Sequence, residues 1–521
     1  MFDKLEALEK RFELVSEKIS DPEIINDQES WRKYCKEHSD LTPIVAKYRE
    51  LKAAKQTLAD DKEMLEEGQD KDFEEMIRLE MSEAEDKIEK FSEELKILLL
   101  PKDPNDEKNV IDVINANIME ETTLSSEEVI KNAVENPIGT PKLEEMVTPQ
   151  SKVVLAIGDK TRLWTKQSLM IKVIMEKLGE IGVPDENVTI ISCVGGHPSQ
   201  TPEEIEAAVG ADMMKRVKVI EHNSYADDDY FTYLGTTKMG TPVYINKIAQ
   251  DADCLILLGG VVYHFLAGFG GGRKMVLPGL CSQKTIIANH IHSLGPNLGD
   301  GTSPFVKVGA MDDSNPFAAD MMEASKMAEP EFIVNVVVND DGKITHAFAG
   351  DMVEAHQKAV EVIIERDGVP VKELADMAIV SGGGYPKDIN LYQSTKPMVN
   401  AAGGLKDHGI MILLHEERDG VGHADMEKML VEMDTTLERE KYLRENYNVG
   451  RNLAFYTCEM ADKYDIILVS SIDEKYVKKT NLKLVRSIDE ALELAYKIAG
   501  RKDLRTYIMP YGSNTLPILQ K

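Results

Sequence analysis

Apolar residues near the amino terminus recur every three or four positions, which is the spacing of one face of an α-helix. A first stripe contains Leu5, Leu8, Phe12, Val15 and Ile19. A second stripe contains Ile88, Phe91, Leu95 and Leu98, and it is followed by the helix-breaking residues Pro101 and Pro104. Only one of the chain's 35 glycines, Gly68, precedes residue 110. Residues 1–108 are therefore predicted to form a helical hairpin or small bundle.

From about residue 110 the pattern changes to short apolar runs that end in glycine and alternate with amphipathic segments. The runs cover residues 153–159, 188–196, 254–260 and 377–384. Runs of this length, separated by helical segments such as 166–179, are typical of buried parallel strands in α/β proteins. Ligands of such sheets gather at the carboxyl ends of the strands. The chemically active residues are therefore expected to follow the runs directly.

Composition and charge narrow the functional classes. An apolar content of 42% and a charged content of 29% are typical of a soluble globular protein, and the chain has no apolar run long enough to span a membrane. Its start lacks a signal peptide, so we expect a cytoplasmic protein. The net charge of -30 disfavours nucleic acid and anionic membranes as partners. The five cysteines show no CxxC spacing and predict neither disulfides nor a zinc site.

Two polar motifs follow the first two runs. Asp159-Lys-Thr-Arg162 comes directly after the first, and the arginine offers a fork of donors that suits a carboxylate, although such a pair by itself is more often a surface ion pair or a helix cap. Gly195-Gly196-His197 follows the second and precedes a helix start. A histidine in this loop can act as a general base, or it can be an ordinary surface residue.

A glycine-rich segment follows the third run. It reads His264-Phe-Leu-Ala-Gly-Phe-Gly-Gly271-Gly272-Arg273-Lys274. Closely spaced glycines let the backbone approach a ligand and present N–H groups to an anion. The spacing differs from that of a nucleotide-binding P-loop. Ligand binding is favoured here over a flexible turn that carries a solvated Arg-Lys pair.

Two further segments carry candidate ligands. Ala288-Asn-His290-Ile-His292 places two histidines two residues apart, which is a poor zinc-binding spacing, but one of them can serve as a single metal ligand. In the segment 382–396, Gln393 and Lys396 are three residues apart and share one helix face, from which both can reach a cleft.

In this order and spacing, the five motifs resemble the nickel-pincer nucleotide-dependent lactate racemase family. That family has a strand followed by D-x-T-R, a G-x-H loop, H-x-x-A-G-x-x-G-G-R-K, A-N-H, and then G-G-x-P-x-D-x-N-x-Y-Q-x-x-K. The segments NPIGTPKLEEMV, FIVNVVV and FAGDMVEAH are also similar to family sequence. The resemblance covers about residues 110–521.

The resemblance implies a role for each matching residue. A nickel-pincer nucleotide, pyridinium-3-thioamide-5-thiocarboxylic acid mononucleotide, would be tethered to Lys274, and nickel would be bound by His290. The acid/base histidines would be His197 and His264. The resemblance also implies cofactor-binding positions at Asp159, Gly271, Gly272 and Arg273, and substrate-binding positions at Arg162, Gln393 and Lys396. Proteins that make the cofactor would be required as partners.

The resemblance also implies the architecture and the reaction. We expect an α/β fold with two α/β domains and a cleft between them, residues 109–365 and 366–494, the first completed by residues 495–521. The expected enzyme is a racemase or epimerase of a small 2-hydroxy acid that works by reversible hydride transfer through a 2-keto acid. Leu163 and Trp164 replace the family's usual residues after D-x-T-R, so a 2-hydroxy acid larger than lactate is also a candidate substrate.

The helical segment resembles a different family, the class I peptide-chain release factors of bacteria. The similarity runs from MFDKLEALEKRFELV to LLLPKDPNDEKN, and the GGQ motif of peptide release occurs nowhere in the chain. An alternative hypothesis is therefore a ribosome-associated binding module without release activity. A nicotinamide-dependent dehydrogenase is a third hypothesis, which the lack of G-x-G-x-x-G after the first strand disfavours.

Overall fold

A computed structural model describes residues 2–19, 28–66, 71–98, 109–117, 122–197, 199–339 and 341–520. The chain divides into two compact units, Met1–Glu107 and Lys108–Lys521. Among the described helices, none combines the length and the apolar character that crossing a bilayer requires.

The described part of the first unit contains three helices: α1 (Phe2–Ile19), α2 (Gln28–Glu66) and α3 (Lys71–Leu98). Residues from all three form its core, namely Leu5, Tyr48, Leu51 and Leu95, with Ile88 and Phe91 packed against them. Both apolar stripes thus contribute to one small core, and the predicted helical bundle is confirmed. Pro101 and Pro104 lie outside the described residues.

Strands and helices alternate through the second unit. Its strands are β1 (Val110–Val113), β2 (Val153–Gly158), β3 (Val188–Cys193), β4 (Lys218–Glu221), β5 (Phe231–Thr236), β6 (Pro242–Asn246), β7 (Cys254–Gly260), β8 (Tyr263–His264), β9 (Gly268–Phe269), β10 (Phe332–Val338), β11 (Ile344–Gly350), β12 (Gly368–Val371), β13 (Ala375–Ser381), β14 (Leu405–Leu414), β15 (Asp465–Val469), β16 (Lys483–Val485), β17 (Thr506–Met509) and β18 (Leu516–Leu519). Its helices are α4 (Ser126–Glu135), α5 (Leu143–Met146), α6 (Gln167–Ile181), α7 (Pro202–Val209), α8 (Ala211–Arg216), α9 (Lys247–Gln250), α10 (Gln283–His290), α11 (Pro316–Lys326), α12 (Glu354–Asp367), α13 (Leu391–Ala402), α14 (Ala424–Glu432), α15 (Thr436–Glu445), α16 (Val449–Lys463) and α17 (Ile488–Ala499).

The first sheet has the order β11-β10-β7-β2-β3-β4 and is parallel except for its edge strand β11. Side chains along a strand alternate between the two faces. In β2, Leu155 packs on one face with helix α6, whereas Ala156 packs on the other face with helix α11. The apolar runs are continuous because both faces of the sheet are covered.

The second sheet has the order β1-β17-β13-β14-β15-β16 and is parallel throughout. Helices α13 and α16 cover one face, where Met398 and Ala454 pack against Val380. Helix α17 covers the other face with Ala491 and Ala495. The α/β class with two layered sheets after a helical segment is therefore confirmed.

The strand pairing at the two ends of the α/β unit differs from the domain bounds that the sequence predicted. Residues 495–521 were expected to complete the first domain, but β17 pairs in parallel with β13, so it belongs to the second sheet. Strand β1, assigned to the first domain, pairs with β17 as well. Tyr507 and Met509 explain the placement, because both side chains are buried in the core of the second sheet.

Candidate active site

The carboxyl end of β2 delivers the first candidate residues. Asp159 caps a short 3-10 helix, Lys160–Thr165, by accepting hydrogen bonds from the backbone N–H and the hydroxyl of Thr161. Its second carboxylate oxygen accepts a hydrogen bond from His197 Nδ1, at the end of neighbouring β3. The strand order of the sheet thus brings the first two motifs together.

The Asp159–His197 pair fixes the state of the imidazole. Burial alone would raise the pKa of Asp159, but hydrogen bonds and charge from His197, with Thr161 and Arg162, outweigh it and leave that pKa below its usual value. The aspartate is therefore an anion that can only accept. His197 must carry its proton on Nδ1 when neutral, which leaves a lone pair on Nε2.

His264 lies in the small hairpin β8–β9, after the central strand β7. Its Nδ1 accepts hydrogen bonds from the backbone N–H groups of Leu266 (3.2 Å) and Ala267 (3.1 Å). Its Nε2 lies 2.9 Å from Nζ of Lys274. Burial, with Lys274 as the next cause, holds the pKa of His264 well below its usual value, so this imidazole is neutral.

The glycines of the His264–Lys274 segment let this loop pack directly against the side chains beneath it. A Cβ at Gly271 would be 2.6 Å from the Asn335 side-chain oxygen, and one at Gly272 would be 2.8 Å from the ring of His356. Gly272 N–H donates to that same Asn335 oxygen over 2.9 Å. The close approach observed here is to side chains beneath the loop, and contact of these glycines with a cofactor remains a prediction.

Arg273 is buried beneath the same loop, with 1% of its surface exposed. Its Nη2 donates to the carbonyl oxygen of Ala267 over 2.7 Å, and burial lowers its pKa to about 10. The next residue, Lys274, is directed at His264 instead. Burial, together with the charges of Arg162 and Arg273, lowers the pKa of Lys274 to about 7.

His290 ends helix α10 and is 5% exposed. Its Nδ1 donates to the carbonyl oxygen of Ile286 over 2.8 Å, so Nε2 bears the lone pair. Burial, followed by the charge of Lys274, lowers its pKa to about 3. Its ring lies edge-on to Phe317 at 4.9 Å and packs against Tyr447 at 5.4 Å. A neutral imidazole with one fixed lone pair is the form that binds a metal.

The second sheet contributes the other side of the site through helix α13. Lys396 is exposed to solvent on one side, and protein surrounds the rest of its side chain. This burial, with the charges of Arg162 and Lys387, lowers its pKa to about 8. Gln393 lies one helical turn earlier and is half-buried. An acidic protein therefore brings the basic side chains of Arg162, Lys274 and Lys396 close together, as anion binding requires.

Aromatic residues around the site carried no distinctive sequence signal. His423 caps helix α14 through its Nδ1, and its ring stacks on Tyr392 at 5.9 Å. Trp164 packs against the end of β7, since a Cβ at Gly260 would be 2.9 Å from the indole. Only the cap at His423 was recognisable in advance, from the His before Ala-Asp at a helix start. In the sequence, nothing distinguishes Tyr447 from an aromatic residue of the hydrophobic core.

A metal would need ligands beyond this chain. In the described ranges, no three His, Cys, Asp or Glu side chains lie together as a metal-binding group. His290 offers a single nitrogen, and Lys274 offers a buried amine suited to a covalent link. These residues fit a metal whose remaining ligands come from a molecule attached to the lysine.

Two domain families match the α/β unit. Residues 103–301 match the Lactate racemase N-terminal domain, and residues 369–516 match the Lactate racemase C-terminal domain. Residues 8–118 match the PCRF domain.

Lactate racemases are similar along nearly their whole length. The one from Lactiplantibacillus plantarum is 32% identical over 397 residues, which cover 75% of this chain and 90% of that protein. The solved lactate racemase apoprotein from Thermoanaerobacterium thermosaccharolyticum has a TM-score of 0.71 and 30% identity, covering 80% of this chain and 96% of that chain. A Thermotoga maritima protein shares the fold at 20% identity, with a TM-score of 0.55 over 77% of this chain and 100% of its own.

The helical segment has other relatives. Peptide chain release factor 1 of Alkaliphilus oremlandii is 58% identical over 117 residues, or 22% of this chain, and that of Clostridioides difficile is 53% identical over 111 residues, or 21%. The chain spans only 33% and 31% of their lengths, respectively. The resemblance of each part of the sequence to its family is confirmed.

Proposed function

Because the chain belongs to the lactate racemase family, we propose that it interconverts the enantiomers of lactate or of a larger 2-hydroxy acid. The observation that carries this proposal is the contact between His264 and Lys274, with Arg162 close enough to lower the pKa of both Lys274 and Lys396. Acid/base groups and anion-binding groups that follow strands of both sheets thus lie close together.

The substrate carboxylate is assigned to the cations of the cleft. Arg162 and Lys396 approach from different sheets, so an anion held between them is also fixed in orientation. Gln393, on the same face of α13, adds a neutral hydrogen-bonding group. Trp164, beside Arg162, supplies an apolar wall for the substituent at C2, which favours acids larger than lactate as additional substrates.

Lys274 is the proposed tether of a nickel-pincer nucleotide, and His290 is the proposed protein ligand of its nickel. When bound, this group would supply the acceptor for the hydride at C2. The lowered pKa values of both side chains support these assignments, because an amide-type link needs a free amine and a metal needs a lone pair. Proteins that make the group would be obligatory partners.

Inverting C2 through a planar 2-keto acid requires the hydroxyl to lose its proton and to regain it. His197 presents a lone pair at Nε2, held in place by Asp159, and is proposed to take the hydroxyl proton. His264 presents a proton at Nε2 and is proposed as the second acid/base group. Before the reaction, Nε2 of His197 is a hydrogen-bond acceptor and Nε2 of His264 is a donor. The two imidazoles can therefore serve the same substrate oxygen in opposite roles.

A racemisation assay tests the function. Protein co-expressed with cofactor-making enzymes is incubated with single enantiomers of lactate and of larger 2-hydroxy acids, and the products are separated by chiral chromatography. We expect at least one acid to approach an equal mixture, and protein expressed alone to be inactive. If protein with a bound adduct and nickel racemises none of them, the proposal is wrong.

The pKa of Lys396 predicts how substrate affinity depends on pH. With a pKa of about 8, lowered from the usual value, the lysine is cationic at pH 7 and becomes neutral as the pH rises through 8. A neutral amine no longer pairs with the carboxylate, so we expect KM to be constant below about pH 7 and to rise about tenfold by about pH 9.5. Initial rates over this range measure the effect.

Two variants serve as controls for this pH dependence. Lys396→Arg keeps its charge at every pH tested, so its KM should stay flat. Lys396→Met should have a high KM that does not change with pH. A wild-type KM that is constant to about pH 9.5 would contradict the assignment of Lys396 as a carboxylate-binding cation.

The PCRF match supports a second candidate function, a ribosome-associated module led by the first unit. Co-sedimentation of the full chain with purified ribosomes tests it, in comparison with a variant that lacks residues 1–107. Co-sedimentation that disappears with the deletion would support it, and the absence of co-sedimentation would exclude it. Racemisation by the deletion variant would show that the two functions are independent.

A further inference from the structure

We infer that Lys274 is held by His264 as a free amine before any group is attached to it, which makes this lysine the nucleophile in its own modification. The contact that points to this is the 2.9 Å distance between Lys274 Nζ and His264 Nε2. The meaning of this state for cofactor attachment rests on the proposed function. The state itself depends only on the geometry of the two side chains.

The argument starts on the far side of the imidazole. Backbone N–H groups can only donate, and those of Leu266 and Ala267 both point at His264 Nδ1, over 3.2 and 3.1 Å. Nδ1 must therefore be the acceptor, and a neutral imidazole must carry its proton on Nε2. That proton is directed at Lys274 Nζ. The lysine must accept it, and only an uncharged amine has the lone pair to do so.

The opposite arrangement fails on the same contacts. An ammonium at Lys274 would donate to Nε2, which would move the imidazole proton to Nδ1. That proton would then face two N–H groups at hydrogen-bonding distance, with no acceptor within the hairpin. The hairpin backbone thus selects the protonation state of the lysine through the tautomer of His264.

The charges around Lys274 and His264 also favour the uncharged amine. No carboxylate forms an ion pair with Lys274 anywhere in the part of the chain that the structure describes. The charged and titratable groups that influence the lysine or His264 are Arg162, Arg273, His290 and Lys396. Arg273 is fully buried, and neither its Nε nor its Nη1 has a hydrogen-bond partner. None of these groups is anionic, and the charges of Arg162 and Arg273 oppose a positive charge on the lysine.

A simple acyl donor can probe this state. In the reaction with N-succinimidyl acetate, the lysine lone pair forms the new C–N bond, and the C–O bond to N-hydroxysuccinimide breaks. The leaving oxygen keeps the electron pair, and the nitrogen loses one proton to solvent. Only the free amine reacts, so the rate of acetylation as a function of pH reports the protonation of each lysine.

The experiment uses the full chain expressed without cofactor-making proteins. Brief acetylation between about pH 6 and about pH 9.5 is followed by digestion and quantitative mass spectrometry. We expect labelling of Lys274 to reach half its maximum near pH 7, and the exposed side chain of Lys326 on α11 serves as the reference. A Lys274 profile parallel to that of Lys326 would overturn the inference.

Two further measurements separate His264 from general burial. In His264→Phe, checked for folding by circular dichroism, the half-maximum of Lys274 should rise by at least about one pH unit; an unchanged profile would refute the role of the imidazole. The ¹³Cε resonance of the lysine, identified by its loss in Lys274→Arg, should titrate near pH 7 whether or not the reagent reaches it. Titration above about pH 9 would overturn the inference, even for a protein whose loaded form racemises 2-hydroxy acids.

Discussion

Lys274→Ala protein, co-expressed with the cofactor-making enzymes, is expected to carry no covalent adduct and no stoichiometric nickel, and to lose racemisation by more than about a thousandfold. The amine of Lys274 contacts His264 and is close enough to the metal-ligand candidate His290 to lower its pKa. Without its nitrogen, a tethered group has no point of attachment. Intact-mass spectrometry, metal analysis and the chiral assay measure the three effects on one sample.

Two matched variants show which step each residue serves. His290→Ala should keep the adduct mass but lose nickel, because it removes a metal ligand and leaves the amine in place. Lys326→Ala, at an exposed position of α11, should behave like the wild-type protein in all three measurements. An adduct of unchanged mass on Lys274→Ala would refute the tether, and full nickel content in His290→Ala would refute the ligand.

Asp159→Asn is expected to lower kcat by about 10²- to 10⁴-fold, with a much smaller change in KM. The carboxylate accepts the proton of His197 Nδ1 and so fixes the lone pair on Nε2. An asparagine amide can donate to Nδ1, which moves the proton to Nε2 and turns the base into a donor. Asparagine and aspartate have nearly the same volume, so we expect the fold and the binding of substrate to be unchanged.

The split between kcat and KM distinguishes positioning from binding. Nickel and adduct contents should equal those of the wild-type protein, since neither Lys274 nor His290 is touched. His197→Ala should lose at least as much kcat as Asp159→Asn, and the double variant should lose little more than His197→Ala, because the aspartate acts through the histidine. Additive losses in the double variant would show that Asp159 has a separate role.

Much of the site was predictable because each motif follows a strand whose apolar pattern is unambiguous. The runs 153–159 and 188–196 became neighbouring strands β2 and β3, and their parallel register brings Asp159 and His197 to the same edge. Local sequence was sufficient here, since both the strand and the polar residue after it are encoded within a few positions.

Long-range pairing and side-chain direction were less accessible. The four residues of β17 fit the edge of either sheet by pattern alone, and their partner β13 is more than a hundred residues away. Arg273 and Lys274 are adjacent basic residues, yet one is buried beneath the loop and the other contacts His264. The packing of Asn335 and His356 under the glycines decides this, and no spacing within the motif encodes it.

Strand β1 joins the outer edge of the second sheet and pairs there with β17 alone. An edge strand has no partner on its other side, so a segment joined to its amino end interrupts no ladder. For gene fusion, this makes the junction near residue 108 a permissive insertion point. Recombination could join a helical segment of translation-factor type to an intact α/β unit in one step, without compensating substitutions. The same junction should accept other leading domains in engineered chimeras.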